Sequence, residues 1–267
     1  MPFIKSNSVK IYYEVVGSGD PVIFLHGFSL DRTMWKDQVE SFSKDYQVFA
    51  VDARGHGKSD APETGYARED RAEDILNLAN ELGLEKFHLV GFSMGGGDAL
   101  SFAIDHQDRL MSLTLIGTVA AGWVPRKKFR DFSSVARENG IESARTLYIK
   151  SSLSHYETRN REIKEKLEKM MTGFSGKSWT DPKKGKYLVR DDLRLSSLLE
   201  LPVLIIIGQH DIFFRPLAEQ LNESIFESKL EIVKDTGHMV NMETPEKFNK
   251  LLSDFLAGIV RGKMITK

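Results

Sequence analysis

Short apolar runs of strand length alternate along this chain with longer segments whose apolar residues recur every three or four positions. That alternation restricts the fold to the α/β class, with strands of a mostly parallel sheet joined by crossover helices. The runs at 47–51, 87–90, 111–116, 203–207 and 229–233 are rich in Val, Ile and Leu, as strands buried on both faces require. The segments 34–42, 68–82, 94–106 and 245–257 carry the helical period, and in the second of them Ala72, Ile75, Leu76, Ala79 and Leu82 share one stripe. Ahead of these, 9–16 and 21–25 flank Gly17-Ser18-Gly19-Asp20, whose turn chemistry predicts an antiparallel hairpin at the sheet edge.

From 118 to 190 the rhythm changes. No apolar strand run appears, and helical stretches at 129–138, 141–152 and 159–171 follow one another. This predicts a core domain made of 1–117 and 191–267, interrupted by a helical cap at 118–190. The cap segment holds 17 basic and 8 acidic residues in a chain of net charge -1, so it is strongly basic and the remainder correspondingly acidic. Its charges at Glu162, Lys164, Glu165, Lys166, Glu168 and Lys169 are read chiefly as a solvated helix surface, ahead of cap closure or the steering of anionic substrates.

Near-neutral overall charge gives no field for a polyanion, so no nucleic acid partner is expected. The amino terminus lacks a basic stretch followed by an apolar core, and no window approaches the ~20 apolar residues of a membrane span, so a cytoplasmic protein with no membrane partner is expected. The absence of cysteine removes disulfides, thiolate nucleophiles and thiolate-held metals. Gly57-Lys58-Ser59 ends like a phosphate-binding loop, but position 52 is Asp52 where that loop needs glycine, and the histidines and carboxylates fall into no metal spacing. No cofactor and no metal are implied.

Chemistry is carried by Gly91-Phe92-Ser93-Met94-Gly95, placed between an apolar strand and a helical pattern. A serine in such a sharp turn projects its hydroxyl above the sheet, and small neighbours are needed because the turn leaves no room for side chains. An alcohol needs a base to become a nucleophile, and the base needs a partner to fix its tautomer. Of seven histidines, His238 lies after the strand at 229–233 and before the helix at 245, on the carboxyl edge where open α/β sheets hold ligands. His26 and His56 also follow strands and are read as loop-shaping; His88, His106, His155 and His210 are read as structural or solvated. For the orienting acid, Asp211 follows the strand at 203–207 and gives the chain order Ser, Asp, His; Asp235 is its competitor, with Asp191 and Asp192 further behind. The N–H groups of Met94 and Phe28 are the expected donors to a tetrahedral oxyanion. Phe28, Phe92, Trp123, Phe213 and Met239 are candidates for an apolar substrate lining.

Five blocks in order, His26-Gly27-Phe28, the stretch Asp52-Ala53-Arg54-Gly55-His56-Gly57-Lys58-Ser59-Asp60, the serine turn, Gly208-Gln209-His210-Asp211, and Gly237-His238 with Glu243-Thr244-Pro245-Glu246, resemble the α/β-hydrolase superfamily over nearly the whole chain outside the insertion. The resemblance implies a mostly parallel eight-stranded sheet, a triad of Ser93, Asp211 and His238, and a cap between Ile116 and Val203 that roofs the site and selects acyl and leaving groups. It also implies that Arg54 and Asp60 bond backbone and neighbours rather than substrate.

Serine at the turn argues against the aspartate-using dehalogenases and epoxide hydrolases and favours acyl-enzyme chemistry on a small ester or lactone, as in the carboxylesterases and enol-lactonases that this chain resembles. Three alternatives stay open. Serine-dependent carbon–carbon bond hydrolases often carry glycine and proline after the oxyanion residue, where this chain has Ser29-Leu30-Asp31. Cofactor-free perhydrolase or haloperoxidase-like enzymes often have proline where Ser29 stands. The third is a ligand-binding receptor on the same fold. Oligomeric state is not legible.

Overall fold

A computed structural model describes residues 2–125, 130–155, 160–186 and 190–260. The strands are β1 (Phe3–Ser6), β2 (Val9–Val16), β3 (Pro21–Leu25), β4 (Gln47–Val51), β5 (Phe87–Phe92), β6 (Leu110–Ile116), β7 (Val203–Gly208) and β8 (Ser228–Val233). They form one eight-stranded sheet in the order β1-β2-β4-β3-β5-β6-β7-β8. β1 and β2 pair antiparallel, as do β2 and β4, and every later pairing is parallel.

The expected hairpin of 9–16 with 21–25 is not formed. β4 lies between those two strands, and β3 is a central strand paired on both sides. Gly17 and Gly19 do turn the chain, with φ of 86° and 113°, but the turn carries it past β4 rather than back onto β2. Burial explains the difference: β3 is buried from Val22 to Leu25, sending Val22 and Phe24 to one core and Ile23 and Leu25 to the other. An apolar strand of this kind belongs inside a sheet, not at its edge. The edge is β1, four residues with alternating burial.

The helices are α1 (Lys36–Phe42), α2 (Arg68–Glu81), α3 (Met94–His106), α4 (Ser133–Asn139), α5 (Ile141–His155), α6 (Arg161–Gly173), α7 (Lys177–Thr180), α8 (Asp192–Leu195), α9 (Arg215–Ser224), α10 (Val240–Glu243) and α11 (Pro245–Val260). α2, α3 and α9 cover one face of the sheet, while α1 and α11 cover the other with Trp35, Phe248 and Leu252 fully buried. α4 to α7 form the helical insertion between β6 and β7. Residues Phe129 and Arg159, with which two of the expected helical stretches begin, lie outside the described residues. α6 turns Ile163, Leu167, Met170 and Met171 inward at a helical period, joining the core below.

His88 lies inside this core on β5, with Nδ1 2.7 Å from Ser112 Oγ and Nε2 without a partner among the described residues. Burial pulls its pKa from the ordinary 6.5 down to about 4. The folded state therefore resists a proton that the unfolded chain accepts, so stability is intact above pH 6.5 and is lost as pH falls from 6.5 towards 4. The full loss is about 3 kcal/mol. The difference between wild type and His88→Gln in denaturant midpoint, followed from pH 7 to pH 4, isolates this contribution from that of the carboxylates. The wild-type midpoint is expected to fall more steeply; parallel curves would remove His88 from the account.

Candidate active site

Ser93 occupies the single residue between β5 and α3, with φ of 51° and ψ of −109°. A non-glycine residue there costs about 1–3 kcal/mol and persists only where its surroundings over-determine it. They do so here: its N–H donates to Ile116 O at 2.8 Å, and its carbonyl accepts from Gly97 N at 3.1 Å and Val119 N at 3.3 Å. The first turn of α3 is pressed against the loop after β3, where Gly95 N–H donates to His26 O at 3.1 Å. A Cβ on Gly95 would come within 2.6 Å of His26 O and 2.7 Å of Leu25 O, so this approach requires glycine.

The loop after β3 is braced by two buried histidines. His26 accepts from Ala53 N–H through Nε2 at 2.9 Å, which places its proton on Nδ1, 2.8 Å from Gly27 O. His56 accepts from Ser29 N–H through Nε2 at 3.1 Å and holds Arg54 O at 3.0 Å from Nδ1. Burial, and after it the neighbouring His26, holds the His56 pKa well below the ordinary imidazole value, so the ring is neutral. Gly27 O also accepts from Leu30 N–H at 3.2 Å. The peptide whose N–H belongs to Phe28 is thus fixed through its carbonyl. Neither that N–H nor the N–H of Met94 donates to any group among the described residues.

The stretch after β4 folds on Asp52, which accepts from Arg32 N, Arg32 Nη1 and Lys58 N. Arg54 grips Asp74 with two bonds of 2.7 Å, and Asp60 exchanges hydrogen bonds with the backbone of Lys10. Both residues bond backbone and neighbours, the role that the resemblance implies.

Asp211, buried at the turn after β7, places Oδ2 2.6 Å from Nδ1 of His238. Its other oxygen accepts from Phe214 N–H at 3.2 Å. The His238 loop is clamped by Glu243, whose carboxylate accepts from Gly237 N–H at 2.9 Å and Met239 N–H at 3.1 Å. The imidazole meets two rings, Phe92 at 4.7 Å and the stacked Phe214 at 4.9 Å. Gly117, just past the end of β6 and with φ of 48°, lets it approach: a Cβ there would lie 2.8 Å from His238 Cε1. The Ser93 backbone bonds Ile116 and Val119 on either side of Gly117, so the backbone of the serine and the imidazole adjoin the same turn. Asp235 is exposed at a φ of 55°, and its N–H donates to Gln209. Asp191 caps α8, and Asp192 pairs with Arg190 and Arg68.

Of the five candidate lining residues, Phe28 is partly exposed and meets Tyr148, Phe174 and Trp179 of the insertion at 4.9–6.1 Å. Trp123 and Phe213 pack on each other and on Phe214. Phe92 and Met239 are fully buried in the core below. Sequence reading did not single out Phe214, Gly117, Glu243 or Tyr148. Only Glu243 stood inside a motif, and the bonds that give it meaning reach the backbone on both sides of the histidine.

On α6 the charges pair along the helix, Arg161 with Glu165 and Lys166 with Glu162, all exposed. Such pairs contribute only a few tenths of a kcal/mol. Added salt is therefore expected to change kcat/KM equally for a carboxylate-bearing ester and a neutral ester of equal size; a selective fall for the charged one would establish steering.

The family model described as alpha/beta hydrolase fold matches residues 20–245. Curated relatives include 3-oxoadipate enol-lactonase 1 of Acinetobacter baylyi, 28% identical over 89% of this chain and 89% of that protein. Another is the non-heme chloroperoxidase CPO-A1 of Kitasatospora aureofaciens, 26% identical over 94% and 97%. Among solved structures, a thermophilic esterase from Thermogutta terrifontis superposes with a TM-score of 0.85 at 29% identity, covering 97% of both chains.

Proposed function

The chain belongs to the alpha/beta hydrolase fold family, and from that premise we propose that it is a serine hydrolase acting on carboxylic esters or lactones of small molecules. The observation that carries the reading is the largely buried 2.6 Å bond that His238 Nδ1–H donates to Asp211 Oδ2, beside a serine held in a strained turn. With Nδ1–H committed to Asp211, Nε2 is left with the lone pair that can take a proton from Ser93. Ser93 Oγ attacks the carbonyl carbon and the carbonyl oxygen becomes an oxyanion. The free N–H groups of Phe28 and Met94 receive it, one from the braced loop and one from the start of α3. His238 then protonates the departing alcohol, and a water activated by the same imidazole releases the acid and restores Ser93.

The enol-lactonase and esterase relatives support the substrate class. The chloroperoxidase relative raises peroxide chemistry, but Ser29 stands at a φ of 62°, which proline cannot adopt, so the proline-bearing loop of that group does not fit this backbone. A panel of aryl and alkyl esters of rising acyl length, with lactones, run beside Ser93→Ala tests the reading. Saturable turnover of at least one member, lost in the variant, is expected. Ligand retention without turnover of any member would instead favour a receptor.

A further inference from the structure

We propose that Tyr148, on cap helix α5, is a positioning residue for the oxyanion donor Phe28, coupling the seat of the cap to the geometry of the reaction; the inference rests on the serine hydrolase reading. Ser29 Oγ lies 2.6 Å from Phe28 O and 3.1 Å from the Tyr148 hydroxyl. A carbonyl only accepts, so the serine proton goes to Phe28 O and the tyrosine proton goes to Ser29 Oγ. The result is a directed chain, Tyr148 O–H to Ser29 Oγ–H to Phe28 O, between residues 119 positions apart.

Two features of this loop make the chain consequential. Ser29 is wholly buried and sits at a φ of 62°, a conformation that needs its surroundings to hold it. Its N–H is held by His56, so the hydroxyl chain secures the other end of the same peptide. That peptide adjoins the one bearing the Phe28 N–H, which His26 and Leu30 fix through Gly27 O. Removing the hydroxyl chain leaves the Phe28–Ser29 peptide held at one end only. The donor then loses pre-organisation, which matters where charge develops and little where substrate merely binds.

The Tyr148 ring packs edge-on against Phe28 and Phe132 and meets Trp179 at 5.5 Å, so Tyr148→Phe keeps the packing and deletes only the hydroxyl. On a neutral ester, Tyr148→Phe is expected to lower kcat about three- to tenfold with KM within twofold, and to weaken a boronic acid that forms a tetrahedral adduct by the same factor. Ser29→Ala should do likewise, and the double variant should be no worse than Ser29→Ala, because both cut one chain. A purely structural role would leave the boronate affinity in step with KM. Unchanged kcat in Tyr148→Phe, a rise in KM alone, or additive losses in the double variant would overturn the proposal while leaving the hydrolase reading intact. A wild-type protein that neither turns over the ester panel nor binds the boronate would remove both.

Discussion

Ser93→Ala is expected to lower kcat by about three to six orders of magnitude on whichever ester or lactone proves to be turned over. Ser93 is the single residue between β5 and α3, and alanine keeps the backbone bonds that hold the turn, since these run through the N–H and carbonyl of residue 93. Residual activity would then come from the oxyanion donors and binding alone. His238→Ala should be about as severe, because serine without its base is a poor nucleophile at neutral pH. Circular dichroism and thermal midpoint, compared with wild type, separate this loss from unfolding. Retention of most activity in Ser93→Ala would remove the serine from its role.

The second large effect concerns the acid. Asp211→Asn is expected to cost about two to four orders of magnitude in kcat, whereas Asp235→Asn should stay within about twofold. Phe214 N–H donates to one oxygen of Asp211 while the other faces His238. In the asparagine variant Phe214 therefore retains the amide oxygen, and the amide NH2 turns towards the imidazole. Nδ1 must then accept, the ring proton moves to Nε2, and the base presents a proton where it needs a lone pair. Asp235 is exposed, and its backbone N–H donates to Gln209. A mild Asp211→Asn with a crippling Asp235→Asn would reverse the assignment.

What could be read in advance followed from local chemistry. The serine turn was legible because glycine is needed on both sides of it, and α3 begins at Met94 as its helical period requires. The parallel strands announced themselves by continuous apolar content. The hairpin of 9–16 with 21–25 was misread because turn residues report where a chain bends but not which strand enters the gap. β1, only four residues long, gave too few positions for an alternating pattern to stand out. α9 carries its own signal in the chain, with Pro216 in its first turn and Leu217, Ala218 and Leu221 forming a buried stripe. The supports of the candidate site were out of reach for a different reason. Phe214 on His238 and Tyr148 on Ser29 are contacts made by tertiary packing, and no spacing in the chain encodes them, whereas Glu243 is only four and six residues from the N–H groups it holds and its motif does not say which groups these are.

The central claim, an activated Ser93 served by His238, is tested most directly by covalent labelling. Wild-type protein treated with a serine-reactive fluorophosphonate and digested for mass spectrometry should carry one adduct, on the peptide containing Ser93. His238→Ala should slow its formation by at least a hundredfold, and Ser93→Ala should abolish it. An adduct on another serine, or equal labelling rates in wild type and His238→Ala, would contradict the account.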